Sequence, residues 1–157
     1  MSDLSNFTYD EISVGQTATY SKTVDEEGVK LFAVASGDVN PVHLDAEFAA
    51  GSMFKQRVAH GMFTGGLISA AIAMELPGPG TIYLGQELSF RAPVFLGDTI
   101  TISLEVIEKL DKRKFVTLST IATNQHGKVV VKGQAQVLPP AEKLSIPRPE
   151  LPKVTVG

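Results

Sequence analysis

The stretch 61–76 constrains the fold most. Met62, Phe63, Leu67, Ile68, Ala70, Ala71, Ile72, Ala73 and Met74 leave it apolar on every side, with Glu75 its only charge. A helix with no polar face has to be surrounded by protein. The segment is also shorter than the roughly 20 residues that cross a bilayer, so it reads as a buried helix and not as a membrane span. Pro77-Gly78-Pro79-Gly80 stops it.

From Thr81 the period changes from helical to alternating. Ile82, Leu84, Leu88 and Phe90 share one face of a strand, with Tyr83, Glu87, Ser89 and Arg91 on the other. Ile100, Ile102, Leu104 and Val106 alternate in a second strand, and the polar turn Asp111-Lys112-Arg113 leads to a third over 115–123. Asn124-Gln125-His126-Gly127 then turns the chain into a last strand over about 128–138. An earlier strand is expected over 17–23. Consecutive hairpins imply a mainly antiparallel sheet, and one all-apolar helix needs a concave sheet to wrap it. The expected class is α+β.

In the first half, Thr23-Val24-Asp25-Glu26 has the capping-box pattern, and Val29, Phe32, Ala33 and Ser36 follow at helical spacing. This predicts a helix over about 25–36, ended by Gly37. Asp45 can cap a short helical turn over 46–50, and 51–57 reads as irregular. From Pro139 the composition shifts: Pro139, Pro140, Pro147, Pro149 and Pro152 favour extended chain. The predicted organisation is one domain over 1–138 and a Pro-rich extension over 139–157. That extension is either strapped to the surface through Leu144, Ile146, Leu151 and Val154 or left as a free terminus.

At 157 residues the chain is long enough to bury a core without crosslinks, and it contains no cysteine. Disulfides, thiolate zinc sites and cysteine nucleophiles are excluded. A net charge of -3 and a pI near 5.6, with scattered lysines and arginines, argue against nucleic acid as partner. Asp3, Asp10 and Glu11 give the N-terminal residues no resemblance to a signal or transit peptide. A cytoplasmic protein with no membrane association is expected.

The chemistry concentrates in Gly37-Asp38-Val39-Asn40-Pro41-Val42-His43. Its glycine and proline are expected to deny it regular helix, leaving a loop that aims a carboxylate and an imidazole. Such a pair can bind and polarise one water. Asn40 either binds the same water or braces the turn. Gly61 opens the apolar helix and either serves tight helix packing or, through a backbone N–H without an intrahelical partner and aided by the macrodipole, makes an oxyanion hole. His60 reads as a helix cap or core residue, and His126 lies in a turn. Ser69 reads as a core serine bonded to its own helix or as a group ordering the water. His43, His60, Asp38 and Asp45 include the two-histidine-one-carboxylate set of non-haem iron enzymes, but no metal-binding spacing such as His-x-His occurs. A metal-free pair is expected. No redox cofactor is implied, because Gly65-Gly66 falls inside the helix and not in a phosphate loop. No Gly-x-Ser-x-Gly elbow occurs either.

These residues carry a resemblance. The run from Phe32 to His43, with Phe48-Ala49-Ala50 beyond it, resembles the hydratase-2 motif of MaoC-like (R)-specific enoyl-CoA hydratases. His60-Gly61-Met62, the strand Ile82-Tyr83-Leu84-Gly85-Gln86-Glu87-Leu88-Ser89-Phe90 and Pro93-Val94 continue it over roughly 14–138. In particular the chain is similar to the short bacterial hydratases that link fatty-acid oxidation to polyhydroxyalkanoate supply. The resemblance implies a hotdog fold, a homodimer joined sheet edge to sheet edge and an acyl-CoA thioester substrate. It also implies catalytic Asp38 and His43, an oxyanion contact from Gly61 and Ser69 near the water. Three other activities share such a scaffold: a 3-hydroxyacyl-thioester dehydratase acting on acyl carrier protein or CoA, a thioesterase, and a non-catalytic acyl-CoA-binding module.

Overall fold

The alternating segments form strands in the computed structural model, which describes residues 3–157. In chain order they are β1 (Asp3–Ser5), β2 (Thr17–Thr23), β3 (Ile82–Phe90), β4 (Thr99–Leu110), β5 (Phe115–Thr123), β6 (Val129–Leu138) and β7 (Ser145–Pro147). The helices are α1 (Glu26–Ser36), α2 (Pro41–Leu44), α3 (Ala46–Ala50) and α4 (Gly61–Met74). Five strands pair antiparallel in the order β2-β4-β5-β6-β3. The β4–β5 hairpin is tight, with Leu110 opposite Phe115 and Lys114 in the left-handed region at φ 61°. Asn124 closes the β5–β6 turn by accepting the N–H groups of His126 and Lys128. Gly133 on β6 lets β3 approach, since a Cβ there would stand 1.8 Å from the Glu87 carbonyl oxygen.

Helix α4 packs against β2, β4 and β5. Its Phe63, Leu67, Ile68, Ala71 and Ile72 meet Ile100, Ile102, Leu104 and Val106 of β4 and Val116, Leu118 and Ala122 of β5 in one core. Burying each of these large aliphatic side chains contributes about 1.5–3 kcal/mol. A curved antiparallel sheet around one central helix is the hotdog fold, of class α+β. Among the described residues no helix is long and apolar enough to cross a membrane.

Three local expectations change, and an alternative left open is decided. Helix α4 is not wholly surrounded: Met62, Gly66 and Ala73 are exposed and Ser69 is half-buried, at helical spacing that makes one uncovered stripe. The segment before His43 is not wholly irregular. Asn40 caps the short α2, its Oδ1 accepting the Val42 N–H at 3.2 Å, and Pro41 sits at the first helical position, where a missing N–H costs nothing. The box at Thr23-Val24-Asp25-Glu26 does not form. Thr23 ends β2 with its hydroxyl 2.9 Å from that of Thr99, and Asp25 caps α1 by accepting the Gly28 N–H at 2.7 Å. Finally, of the two readings of the tail the strap holds over residues 144–147, while Leu151 and Val154 are exposed. β7 pairs with β1, and Asn6 accepts from the Leu144 N–H at 2.9 Å while donating to the carbonyls of Pro79 and Glu142.

Candidate active site

Two segments meet beside the N-terminus of α4. Gly37 ends α1 in the left-handed region, φ 82°, donating to the Ala33 carbonyl at 2.8 Å. The chain then turns through Asp38, whose Oδ1 accepts the Asn40 N–H at 3.1 Å, and enters α2. From the other direction an isolated bridge between Val58 and Phe95 and the bond from Ala59 N–H to the Val94 carbonyl (2.7 Å) tie the approach to His60 onto the sheet.

His43 is 8% exposed and its Nδ1 lies 2.7 Å from the Val58 carbonyl. A carbonyl only accepts, so Nδ1 carries the proton and Nε2 of the neutral ring is left as an acceptor. That nitrogen lies 3.8 Å from Asp38 Oδ2, and the Asp38 carboxylate is exposed. The chain around His43 is braced by Arg57, which donates from Nε to the His43 carbonyl at 2.8 Å and from Nη1 to Glu26 Oε1 at 2.9 Å. The hydrogen bond and positive charge of Arg57, with Lys30 nearby, hold the Glu26 carboxyl below its ordinary range.

A cavity of about 490 Å³ opens here, lined among others by Asn40, His43, His60, Gly61, Phe90 and Arg91. This volume is within the range of small-molecule sites. As the first residue of α4, Gly61 has an N–H with no acceptor in its own helix. A side chain there would be crowded, because a Cβ would lie 3.0 Å from the Phe90 ring.

The structure therefore brings His43, Asn40 and Gly61 together at the cavity, with the exposed Asp38 beside His43 but not among the residues that line it. Asn40 uses its side chain on α2, the bracing role. Ser69 is elsewhere: it lines a separate apolar groove with Phe32, Met62 and Leu88. The unexpected member is His60. Its ring does not cap α4. It is 3% exposed, stacks on His43 with centroids 3.8 Å apart, packs against Phe32 at 4.7 Å, and bonds through Nε2 to the Asp38 carbonyl at 2.9 Å. A single histidine before a glycine carries no signal of this in the sequence.

Donor atoms of Asp38, His43 and His60 lie within 4.8 Å of one another, closer than their spacing suggested. The two rings are stacked, 26° apart, instead of converging on a common point, and each commits one nitrogen to a backbone carbonyl. The arrangement suits acid-base work on a water.

The chain matches the MaoC like domain over residues 11–128. It is 45% identical over 133 residues to a protein of Rhodospirillum rubrum named (R)-specific enoyl-CoA hydratase, covering 85% of this chain and 92% of that one. It is 39% identical over 139 residues to one of Methylorubrum extorquens named 3-hydroxybutyryl-CoA dehydratase, covering 88% of each. Among solved structures, the R-hydratase PhaJ1 of Pseudomonas aeruginosa in its unliganded form superposes with a TM-score of 0.94 at 54% identity, over 99% of this chain and 100% of that one. With the domain matched across most of its length and relatives this similar over nearly their whole lengths, the chain belongs to the MaoC-like domain family.

Proposed function

We propose that the protein is an (R)-specific enoyl-CoA hydratase, a hydro-lyase that adds water to a trans-2-enoyl-CoA and gives a (3R)-3-hydroxyacyl-CoA. The observation that carries this reading is the gap between Asp38 and His43. An acceptor nitrogen faces an acceptor carboxylate across 3.8 Å, too far for a direct bond. One water donating a proton to each, at about 2.8 Å, satisfies both. Its oxygen lone pair is then left for C3 of the substrate.

The thioester oxygen accepts from Gly61 N–H. This draws electrons from the C2–C3 double bond and stabilises the enolate-like charge that develops. As the C3–O bond forms, the Asp38–His43 pair takes a proton from the water and returns one to C2 on the same face. Both hydrogens and the oxygen of the water end in the product. The dehydratase named among the relatives catalyses a reaction of the reverse type, whose direction depends on concentrations.

A second copy of this chain completes the protein. β3 is an edge strand whose Ile82, Tyr83, Leu84 and Phe90 are exposed, and the uncovered stripe of α4 lies beside it. An apolar edge of this kind invites pairing. The acyl-CoA substrate and the lack of cysteine suit a cytoplasmic enzyme.

The test is loss of enoyl absorbance on crotonyl-CoA, with chiral analysis of the product. A (3R) product supports the reading. A (3S) product, release of free CoA thiol without hydration, or tight binding without absorbance loss would each replace it.

A further inference from the structure

Water addition leaves one charged group at the cavity unused. Arg91 follows the end of β3, with its backbone N–H on the Val130 carbonyl at 2.8 Å, and its exposed side chain lines the cavity that holds His43 and Gly61. Its Nε donates to Ser89 Oγ at 2.8 Å, which fixes the guanidinium along the face of the strand. The remaining N–H edges have no partner among the described residues, and no carboxylate comes within 4.0 Å. Across the ladder, Ser89 is opposite Lys132 of β6, a second exposed cation that pairs with no carboxylate. Glu87 shares this face of β3 and forms an ion pair with neither. Lys132 lies on the outward face of the sheet and not among the residues that line the cavity, so Arg91 is the cation at the cavity itself.

Resting on the hydratase reading, we infer that Arg91, with Lys132 beside it, binds a phosphate of the CoA carrier. The acyl group and thioester must enter the cavity to reach Gly61. The diphosphate and the ribose phosphate carry several charges and stay where water and counter-charge meet them. A guanidinium with unused N–H edges matches phosphate oxygens in bidentate fashion, a geometry that lysine does not reproduce. The oxyanion and the water are already served by a backbone amide and by the Asp38–His43 pair, so neither needs this cation.

The experiment compares wild type, Arg91→Ala, Arg91→Lys and Lys132→Ala on three substrates: crotonyl-CoA, crotonyl-dephospho-CoA and the phosphate-free crotonyl-pantetheine. For Arg91→Ala, KM for crotonyl-CoA should rise about tenfold, as expected for loss of a charge-assisted bidentate contact, and Arg91→Lys should recover part of it. Lys132→Ala should have a smaller effect in the same direction. The rise should be confined to thioesters that bear phosphate. If it persists with the dephospho substrate the diphosphate is the contact, and if it vanishes there the ribose phosphate is; either result supports the inference. An equal rise on crotonyl-pantetheine, or none on crotonyl-CoA, overturns it. Calorimetry of CoA itself separates the two claims. Weaker binding to Arg91→Ala without any hydration by wild type would remove the proposed activity and keep the phosphate contact, whereas equal binding to both proteins would remove the contact.

Discussion

The imidazole of His60 lies on that of His43, centroids 3.8 Å apart and planes 26° apart, while its Nε2 holds the backbone carbonyl of Asp38 at 2.9 Å. One buried side chain thus positions both members of the proposed water-activating pair. His60→Phe keeps a ring for the stack and loses the bond to Asp38. Its kcat on crotonyl-CoA should fall by roughly five- to tenfold, the equivalent of one hydrogen bond, with KM little changed. His60→Ala removes both contacts and should lose more. Steady-state kinetics beside a melting curve checks this, because a merely structural role would lower Tm without separating kcat from KM.

Asp38→Asn and His43→Asn test the pair itself. Asp38 is exposed and its backbone contacts survive the change to Asn, so the protein should fold as before. Each variant should lose on the order of 10²–10⁴ in crotonyl-CoA hydration, the worth of an acid-base group. The double variant should lose little more than either single one, since the two act on one water. Near-wild-type turnover in a folded Asp38→Asn protein would falsify the assignment.

The Gly61 amide can be removed without adding a polar group. His60, at φ -59° and ψ 141°, already has the extended backbone that a following proline requires, and proline is tolerated at the first position of a helix. Gly61→Pro should therefore keep α4 and lose the donor. Gly61→Ala is its control, because it presses a similar Cβ on the Phe90 ring at 3.0 Å while keeping the N–H. The proline variant should have a kcat on the order of 10²–10³ below that of the alanine variant, as for loss of one oxyanion-hole donor. Equal kcat values in the two would leave the amide without a catalytic role.

What the sequence disclosed, and what it concealed, follow from the range of the forces involved. β2 and β5 occupy 17–23 and 115–123 as the sequence leads one to expect, because the glycine and the polar turn that precede them act locally. Proline at 41 reads as a helix breaker in the sequence, yet a cap at Asn40 turns it into a helix start, a distinction that depends on one side-chain bond. A local capping box at Thr23 lost to the β2–β4 ladder, which the box alone does not reveal. Alternation in β3 misassigns the start of the strand: the bulge between Tyr83 and Gly85 shifts the register by one residue, so Tyr83, opposite the buried Val137, shares a face with Leu88 and Phe90, and Ile82 does not. The convergence of Asp38, His43 and Gly61 was legible as chemistry and motif order. His60 was not, because its contacts are with Phe32, Asp38 and His43, 28, 22 and 17 residues away in sequence. Ser69 sits in the groove beside Phe32 because its place on α4 turns it toward the uncovered stripe.

Glu26 gives the brace behind His43 a pH signature. Arg57 bonds and attracts its carboxylate, so the folded carboxyl titrates below its ordinary value of 4.5. A group depressed by folding contributes stability above its unfolded pKa and loses it as pH falls through the folded one. Below about pH 4.5 this contribution should therefore fade. Glu26→Gln should be less stable than wild type near neutral pH and approach it under acid. Urea unfolding at several pH values measures the difference, and a gap that stays constant with pH would show that the ion pair contributes nothing of its own.

The exposed edge of β3 predicts the assembly. Leu84 is 43% exposed on that edge and lines the apolar groove with Met62 and Ser69, at the β-bulge between Tyr83 and Gly85. A lysine at an edge strand blocks pairing with another strand, so Leu84→Lys should convert a dimer to a monomer while leaving the core packed around α4 intact. Sedimentation should report the change in mass, with far-UV circular dichroism unchanged. Because Phe90 touches Gly61 from the end of the same strand, the monomer should also be a poorer hydratase than the dimer. A wild-type protein that sediments as a monomer at micromolar concentration would remove the second copy from the proposal and require another cover for the apolar stripe of α4.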